Sequence, residues 1–192
     1  MPVKSNFAAG NILTASDTNT YLTNGGLVYI TEINATSGAT VDITSCFSST
    51  YDAYRIVITD FRASIAANIL SQLLASGTPA TTNYAWGVTR VDYTGVLTGV
   101  ASGFPATVAF WNFQMVGGTT SSSMVLDLQN PFLTQPTYIQ YDSTDNRGTS
   151  GYAVLKGGGT HTTASSYNGI RFSTTAGTFT NAKIRVYGYR QA

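Results

Sequence analysis

The stretch SMVLDLQ, residues 123–129, is the clearest indication of the fold class, because its apolar side chains recur at every second position. Met124, Leu126 and Leu128 fall on one side of an extended chain, whereas Asp127 falls on the other. A period of two residues is that of a β-strand with one buried face. The stretch therefore predicts a strand that covers an apolar core.

Segments on both sides of this strand repeat the pattern, and Gly, Pro and Asn residues separate them. YRIVITDF (54–61) places Tyr54, Ile56 and Ile58 on one face. ANILSQLLAS (67–76) also fits helical spacing, but the Ser-Gly-Thr-Pro turn sequence at its end favours a strand. The other predicted strands are residues 27–31, 40–43, 84–93, 106–115, 137–142, 151–156, 169–174 and 182–190.

About ten short strands separated in this way indicate a β-sandwich or barrel. The predicted fold is all-β, a jelly-roll-like antiparallel β-sandwich. In its last strand, AKIRVYGYR (182–190), Ile184 and Val186 face the core. Outward tyrosines beside arginines are typical of contact surfaces. Four residues are therefore candidates for contact with another subunit or a receptor: Arg185, Tyr187, Tyr189 and Arg190.

The N-terminal segment NFAAGNILTASDTNTYL (6–22) carries a helix-start signal instead of strand alternation. Thr14 is a good N-cap, and a carboxylate three residues later favours the positive end of a helix. A helix of about eight residues is marginal alone in water, so it must dock on something. We predict an anchoring arm over residues 1–26 and a head over residues 27–192. The predicted partner-docking residues are Phe7, Leu13, Thr14, Asp17, Tyr21 and Leu22.

The composition is poor in charge, since charged residues make up 10% of the chain against roughly 25% in soluble domains. Such a surface suits a protein packed against neighbours or one that works outside the cell. The net charge of +1 exerts no pull toward nucleic acid or membrane. No apolar run approaches a membrane-spanning length, and no signal peptide is recognisable. Neither nucleic acid nor membrane is therefore a predicted partner.

The charges are unevenly distributed, because every acidic residue lies at or before Asp145 and only basic residues follow. One interpretation is that the C-terminal strands pair with more acidic strands of the same sheet. The other is a basic face that meets an acidic face of another subunit. The first interpretation is favoured. The basic residues concerned are Arg147, Lys156, Arg171, Lys183, Arg185 and Arg190.

Residues that could carry chemistry are few. With one cysteine and one histidine, the chain can form neither an internal disulfide nor a Cys/His zinc cluster. His161 lies in KGGGTHTTASS, which is predicted to be a flexible loop, and Cys46 is predicted to be a small buried apolar residue. The glycines of KGGGT (156–160) lack the following Lys and helix that a phosphate-binding loop needs.

The acidic residues are scattered along the chain, and only one of them is a glutamate. Paired carboxylates for glycoside hydrolysis are therefore not predicted. DSTDNRG (142–148) could bind calcium through Asp142, Asp145 and Asn146, but Asx turns at a hairpin explain it better. We predict no catalytic set, no metal and no cofactor, and hence a protein that is not an enzyme.

Three segments together resemble bacteriophage virion proteins. FAAGNILTASDTNTYL (7–22) resembles an N-terminal segment of tail-fibre and related proteins, with the pattern F-x-A-G-x-x-L-T-A-x-D-x-N-x-Y-L. FSSTYDAYRIVITDF (47–61), followed by LLASGTPATTNYAW (73–86), is similar to the F-S-S-x-Y-D-x-Y core of phage structural proteins, many from marine and cyanobacterial viruses. GIRFSTTAGTFTNAKIRVYGYR (169–190) is similar to their C-terminal strand pair.

The resemblance implies a structural protein of a phage particle, either a short tail fibre or knob or a capsid decoration. Such a protein is assembled in the host cytoplasm, docks through its arm to a capsid, tail or fibre component, and projects the head. Closed symmetric assembly is the default for such modules, and a homotrimer is the predicted state. The alternative is a host-surface adhesin that binds carbohydrate through an exposed patch of aromatic and Asn/Asp side chains. A polysaccharide depolymerase is a third hypothesis, and it predicts clustered acids.

Overall fold

The computed structural model describes residues 26–103, 108–146 and 151–190, and these residues form antiparallel β-strands without a helix. The all-β prediction is confirmed. The predicted short helix and all six predicted docking residues, Phe7 to Leu22, lie outside the described residues. The strands are β1 (Leu27–Asn34), β2 (Thr40–Ile43), β3 (Ala53–Ala63), β4 (Ala67–Ala75), β5 (Thr78–Pro79), β6 (Tyr84–Asp92), β7 (Leu97–Gly103), β8 (Trp111–Gly117), β9 (Ser122–Gln129), β10 (Thr137–Asn146), β11 (Tyr152–His161), β12 (Gly169–Thr174) and β13 (Phe179–Tyr189).

The strands of the described chain form two sheets. The larger sheet has eight strands in the order β1-β13-β3-β9-β10-β11-β6-β7. The smaller sheet has five strands, in which β2, β12, β4 and β5 follow one another and β8 also pairs with β4. Neighbouring strands can be distant in sequence, since β13 pairs with both β1 and β3, and β3 also pairs with β9.

The core lies between the two sheets, which face each other as in a sandwich. Met124, Leu126 and Leu128 of β9 are almost completely buried, as the alternation of that stretch predicts. Aromatic pairs join the layers: the ring centroids of Tyr84 in β6 and Trp111 in β8 lie 4.9 Å apart in an edge-to-face arrangement. Large buried rings of this kind contribute strongly to stability.

β4 is the segment whose apolar residues also fit helical spacing, and it is confirmed as a strand. Leu73 and Leu74 are both fully buried because β4 lies inside its sheet and is covered on both faces. Ser76 and Gly77, with φ of 50° and 85°, make the two-residue turn into β5. Positive φ at both central residues is the geometry of a type I′ hairpin, which matches the twist of the strands.

Several sequence predictions need correction. The KGGGT segment and His161 belong to strand β11 and do not form a loop. Two positions of this strand have no room for a side chain because large rings pack over them. A side chain at Gly157 would meet the Tyr141 ring, and one at Gly159 would meet Trp111. The predicted strand over residues 106–115 begins only at Trp111. The segment of Asp142 and Asp145, expected to form Asx turns at a hairpin, is strand up to Asn146.

Candidate functional site

The outer face of the eight-stranded sheet, which points away from the core, is where the described chain combines polar side chains with surface depressions. Alternate residues of β3, β9, β10, β11 and β13 supply it. In β9 and β10, the alternation that buries Leu126 and Tyr141 turns their neighbours Asp127 and Gln140 outward. The side chains that line the depressions or hydrogen-bond beside them are Arg55, Asp127, Gln129, Tyr138, Gln140, Lys156 and Tyr189.

Asp127 is the centre of a hydrogen-bonded group that we call the Asp127 cluster, formed by Arg55, Asp127 and Tyr189. The Arg55 guanidinium donates two hydrogen bonds of 2.8 Å, from Nε to Oδ1 and from Nη2 to Oδ2 of Asp127. The Tyr189 hydroxyl donates to Oδ1 over 2.7 Å. The Arg55 guanidinium carbon also lies 5.5 Å from the centroid of the Tyr189 ring. A bidentate ion pair with a third donor holds all three side chains in one geometry.

The same contacts set the protonation states. Partial burial raises the pKa of Asp127, but the hydrogen bonds from Arg55 and Tyr189 outweigh it and leave that pKa below its ordinary value. Burial, together with the bond to Asp127, raises the pKa of Tyr189 to about 12. At neutral pH the cluster therefore contains a carboxylate that accepts and a phenol that donates.

Two paired glycines, Gly158 of β11 and Gly87 of β6, form a strip without side chains on the outer face beside this cluster. Gln140 of β10 pairs with both Asp127 and Gly158, and Gly158 in turn pairs with Gly87 of β6. A side chain added at Gly87 would meet nothing within 4 Å, so this position opens to solvent. The strip is bordered by Tyr138 and Thr160 on one side and by Lys156 and Thr89 on the other. We call the strip and its borders the trough.

Two adjoining depressions mark the end of the trough beside the Asp127 cluster. The first, of about 310 Å³, is lined by side chains that include Asp127, Gln129, Tyr138 and Gln140, with Gly158 and Gly159 as part of its wall. The second, of about 410 Å³, extends from Arg55 and Asp127 past Gln140 to Lys156. Both are partly open to solvent, so they suit a ligand that lies along the surface.

Apolar side chains of β3, β9, β11, β6 and β7 lie on the same outer face, and we call them the apolar row. Cross-strand pairs place Val57 beside Val125, Val154 beside Val91, and Val91 beside Leu97. Leu97, Val154 and Val91 are 68%, 57% and 41% exposed. A depression lined by Val57, Val125, Thr144 and Val154 joins the two halves of the row.

The four contact residues predicted in the last strand lie on β13, which is second from the edge of the sheet, and directly after it. Arg185 is held by Glu32 of β1, with 2.7 Å between Nε and Oε2. Tyr187 packs edge-to-face on Tyr29, with 5.9 Å between ring centroids. Tyr189 belongs to the Asp127 cluster, and Arg190 donates its backbone N–H to Gly26. The structure therefore brings only Tyr189 to the trough.

The basic C-terminal region finds its acidic partners within the described chain. Lys183 and Arg185 both contact Glu32, and Lys156 Nζ lies 3.4 Å from Asp142. The Arg171 guanidinium forms a bidentate pair with Asp42 across β12 and β2, at 2.6 and 2.7 Å. These pairs confirm the favoured interpretation, in which neighbouring strands of one sheet neutralise each other.

The histidine and the cysteine are both buried. His161 is 1% exposed and lies between the Tyr84 and Tyr167 rings, whose centroids are 4.5 and 5.1 Å from its own. Its Nδ1 is 3.4 Å from the Tyr167 hydroxyl, and burial lowers its pKa. Burial raises the pKa of the Cys46 thiol to about 12, as expected of an apolar cysteine. Both side chains therefore act as packing residues.

The calcium hypothesis does not fit the strand geometry. Asp142 is exposed beside Lys156, whereas Asp145 points into the core, where its Oδ2 accepts the Val116 N–H over 3.2 Å. Among the described residues, no group of three or more His, Cys, Asp and Glu side chains is arranged to hold a metal ion. The same part of the chain contains no helix that is long and apolar enough to cross a membrane.

Sequence reasoning named Tyr189 but missed the other residues of the trough. Part of the trough could have been predicted from the sequence, because the alternation in residues 123–129 already places Asp127 on the outer face. The same rule applied to TYIQYD (137–142) would have placed Tyr138 and Gln140 on that face. Arg55 could be found only from the pairing of β3 with β9, which joins residues that are 72 positions apart in sequence.

Comparisons of this chain with protein-family models, curated protein sequences and solved structures gave no match. The geometry of the outer face therefore carries the functional inference.

Proposed function

We propose that this chain is a structural component of a bacteriophage particle, a short tail fibre or knob or a capsid decoration. In this proposal the head is a jelly-roll-like sandwich, and residues 1–26 attach it to another virion component in the host cytoplasm. The head assembles with two further copies of itself into a homotrimer. The phage assignment is supported by the sequence resemblance, and the assembly of the head is supported by the outer face of the sheet.

The observation that carries the proposed assembly of the head is the apolar row. Exposed apolar side chains scattered singly are ordinary, but contiguous apolar patches mark surfaces that other molecules cover. Here five apolar side chains from five strands lie on one face in two groups, Val57 with Val125 and Val154 with Val91 and Leu97. One depression connects the two groups, and Asp142 and Thr144 of β10 lie between them. Burial of apolar surface is the main driving force for association between subunits.

The proposed occupant of the apolar row is a second copy of this chain. The charged residues next to the row, Asp142 and Lys156, neutralise each other. In a ring of three copies, most of each contact joins two different surfaces, and identical residues meet only around the threefold axis. An uncharged row can be covered by a neighbouring copy in either way without electrostatic repulsion. The low charge of the whole chain, 10% of residues, supports the same conclusion.

The positions of His161 and Cys46 support a role in structure over one in catalysis. A catalytic base must reach a substrate proton and titrate near the working pH. His161 is enclosed by two tyrosine rings, and the Cys46 thiol hydrogen-bonds to the backbone oxygen of Ile43 over 3.4 Å. Both groups stabilise the core.

The assembly is tested by the mass of the full-length protein in solution, measured by size-exclusion chromatography with light scattering. We expect the mass of three chains for the wild type. Val154→Asp and Leu97→Asp place a charge in the apolar row and should yield monomers. Ile65→Asp is the matched control, because Ile65 is 53% exposed and lies in the turn between β3 and β4, outside the row.

A monomeric wild type would contradict the proposed assembly, as would variants of the row that keep the wild-type mass. Circular dichroism of each variant shows that its fold is retained. Attachment is tested separately by deletion of residues 2–24. The truncated protein should remain folded and be absent from particles, and its normal incorporation would contradict the anchoring role of the arm.

A further inference from the structure

The trough offers hydrogen-bonding groups that the protein itself leaves open. Within the described residues, the side chains of Gln129, Tyr138 and Gln140 make no hydrogen bond. Gln129 and Gln140 are exposed, and Tyr138 is 47% exposed. Each amide has both a donor and an acceptor, and the phenol has both in one group. Three such side chains converge on one depression of about 310 Å³.

The Asp127 cluster provides a rigid end wall for this depression. Asp127 is 36% exposed while Arg55 and Tyr189 hold it, so its carboxylate is fixed and still reachable. A carboxylate has about four acceptor sites, and the three hydrogen bonds from Arg55 and Tyr189 leave capacity for a ligand hydroxyl. Preorganised groups of this kind bind with little loss of side-chain entropy.

The charged side chains around the trough neutralise one another, so an uncharged ligand fits it better than an ionic one. Arg55 is neutralised by Asp127, and Lys156 is neutralised by Asp142. The best ligand is therefore uncharged, carries many hydroxyl groups, and is flat enough to lie on the bare strip at Gly158 and Gly87. A pyranose ring meets these conditions, since its C–H face can stack on a tyrosine ring while its hydroxyls meet amides and carboxylates.

We infer that the trough binds a neutral oligosaccharide, with Tyr138 stacking on a sugar ring and with Gln129, Gln140 and Asp127 pairing with its hydroxyl groups. The strip without side chains continues from β11 onto β6, so the chain of sugars extends across Gly158 toward Gly87. The inference goes beyond the proposed assembly, because sugar binding is measured on the dissolved protein whatever its oligomeric state.

The test uses the full-length protein on a glycan array that contains neutral and acidic oligosaccharides. The best neutral trisaccharide is then titrated by NMR or isothermal calorimetry. Tyr138→Ala removes the stacking ring, and Gly87→Val fills the strip at a position where the added side chain meets no neighbour. Each change should weaken binding by roughly tenfold or more, the effect of removing a central contact.

Tyr152→Ala is the matched control for Tyr138→Ala. Tyr152 is 60% exposed on β11 and aligns with Asn146, away from the trough. Its loss should leave sugar binding unchanged. The inference is overturned if the wild type binds no neutral glycan, if it prefers acidic ones, or if Tyr152→Ala weakens binding while Tyr138→Ala and Gly87→Val do not. A thermal melt of each variant shows that it is folded.

Discussion

The inner and outer faces of the eight-stranded sheet use the same strands and similar side chains for opposite purposes. Tyr141 and Tyr138 both belong to β10, three residues apart. Tyr141 is 3% exposed, packs on Gly157 and donates its hydroxyl proton to the backbone oxygen of Phe113 over 3.1 Å. Tyr138 is 47% exposed and lines the trough. The face, not the residue type, decides which tyrosine stabilises the fold and which is available to a ligand.

The polar groups of the two faces differ in the same way. On the inner face, the Tyr84 hydroxyl accepts the Leu73 N–H at 2.8 Å, and Trp111 donates to Thr160 at 3.3 Å. Buried polar groups need such partners because an unpaired one destabilises the fold by about 1–3 kcal/mol. On the outer face water can satisfy the amides until a ligand replaces it. A binding surface can therefore occupy the solvent side of the same strands that form the core.

The largest expected effect on stability is that of Tyr141→Ala, compared with Tyr138→Ala in the same strand. Tyr141→Ala should lower the free energy of unfolding by about 3–5 kcal/mol, because it leaves a cavity and removes a buried hydrogen bond. Tyr138→Ala should change it by no more than about 0.5 kcal/mol, as is usual for exposed sites. Urea denaturation measures both. Equal losses would break the distinction between the faces.

Replacement of a glycine by alanine should affect stability differently at a packed position and at an open position. Gly159→Ala should destabilise the protein by about 1–3 kcal/mol, because the new methyl group meets the Ala85 carbonyl and the Trp111 ring. Gly87→Ala places its methyl group in open space, so its effect should stay within about 0.5 kcal/mol. Thermal unfolding of both variants would show a difference in midpoint only if Gly159 is constrained by packing.

The pH dependence of stability tests the burial of His161. Burial lowers its pKa in the folded state, so the unfolded chain binds a proton more readily. Stability should therefore fall as the pH drops below the unfolded value of about 6.5, with a slope of at most about 1.4 kcal/mol per pH unit. His161→Gln should remove this slope between pH 7 and pH 5.5. A slope that persists in the variant would assign it to another group.

The smallest effect belongs to the ion pairs of the outer face. Asp127→Asn should destabilise the protein by up to about 1 kcal/mol, since the pair is ordered but partly exposed. Because the folded pKa of Asp127 is lowered, its contribution is present above about pH 4 and is lost as the pH falls through the folded value. Asp142→Asn is the control, since its side chain is 67% exposed and its partner Lys156 is 77% exposed. Its effect on the midpoint of urea unfolding should be close to zero, and a loss as large as that of Asp127→Asn would remove the special role of the cluster.

Apolar alternation predicts most of the strands and the direction of many side chains, although β5 and β7 were not predicted and the second half of β11 was expected to be a loop. The alternation in residues 123–129 correctly separated buried Met124, Leu126 and Leu128 from outward Asp127. The reason is local, because successive side chains of an extended chain point to opposite faces whatever surrounds them. Where both faces are buried, as in β4, the alternation disappears, and only the turn at Ser76 and Gly77 indicated a strand.

Which outward residues meet depends on the order of the strands in the sheet. Arg55, Asp127 and Tyr189 come from three strands that are neighbours in the sheet but distant in the chain, and no local pattern specifies that order. The same holds for the glycines of β11, which resemble a loop in sequence. They are strand residues because Tyr141 and Trp111, brought close by sheet pairing and packing, occupy the space that side chains would need. Local periodicity thus determines which way a side chain points, whereas long-range pairing determines its neighbours and hence the site.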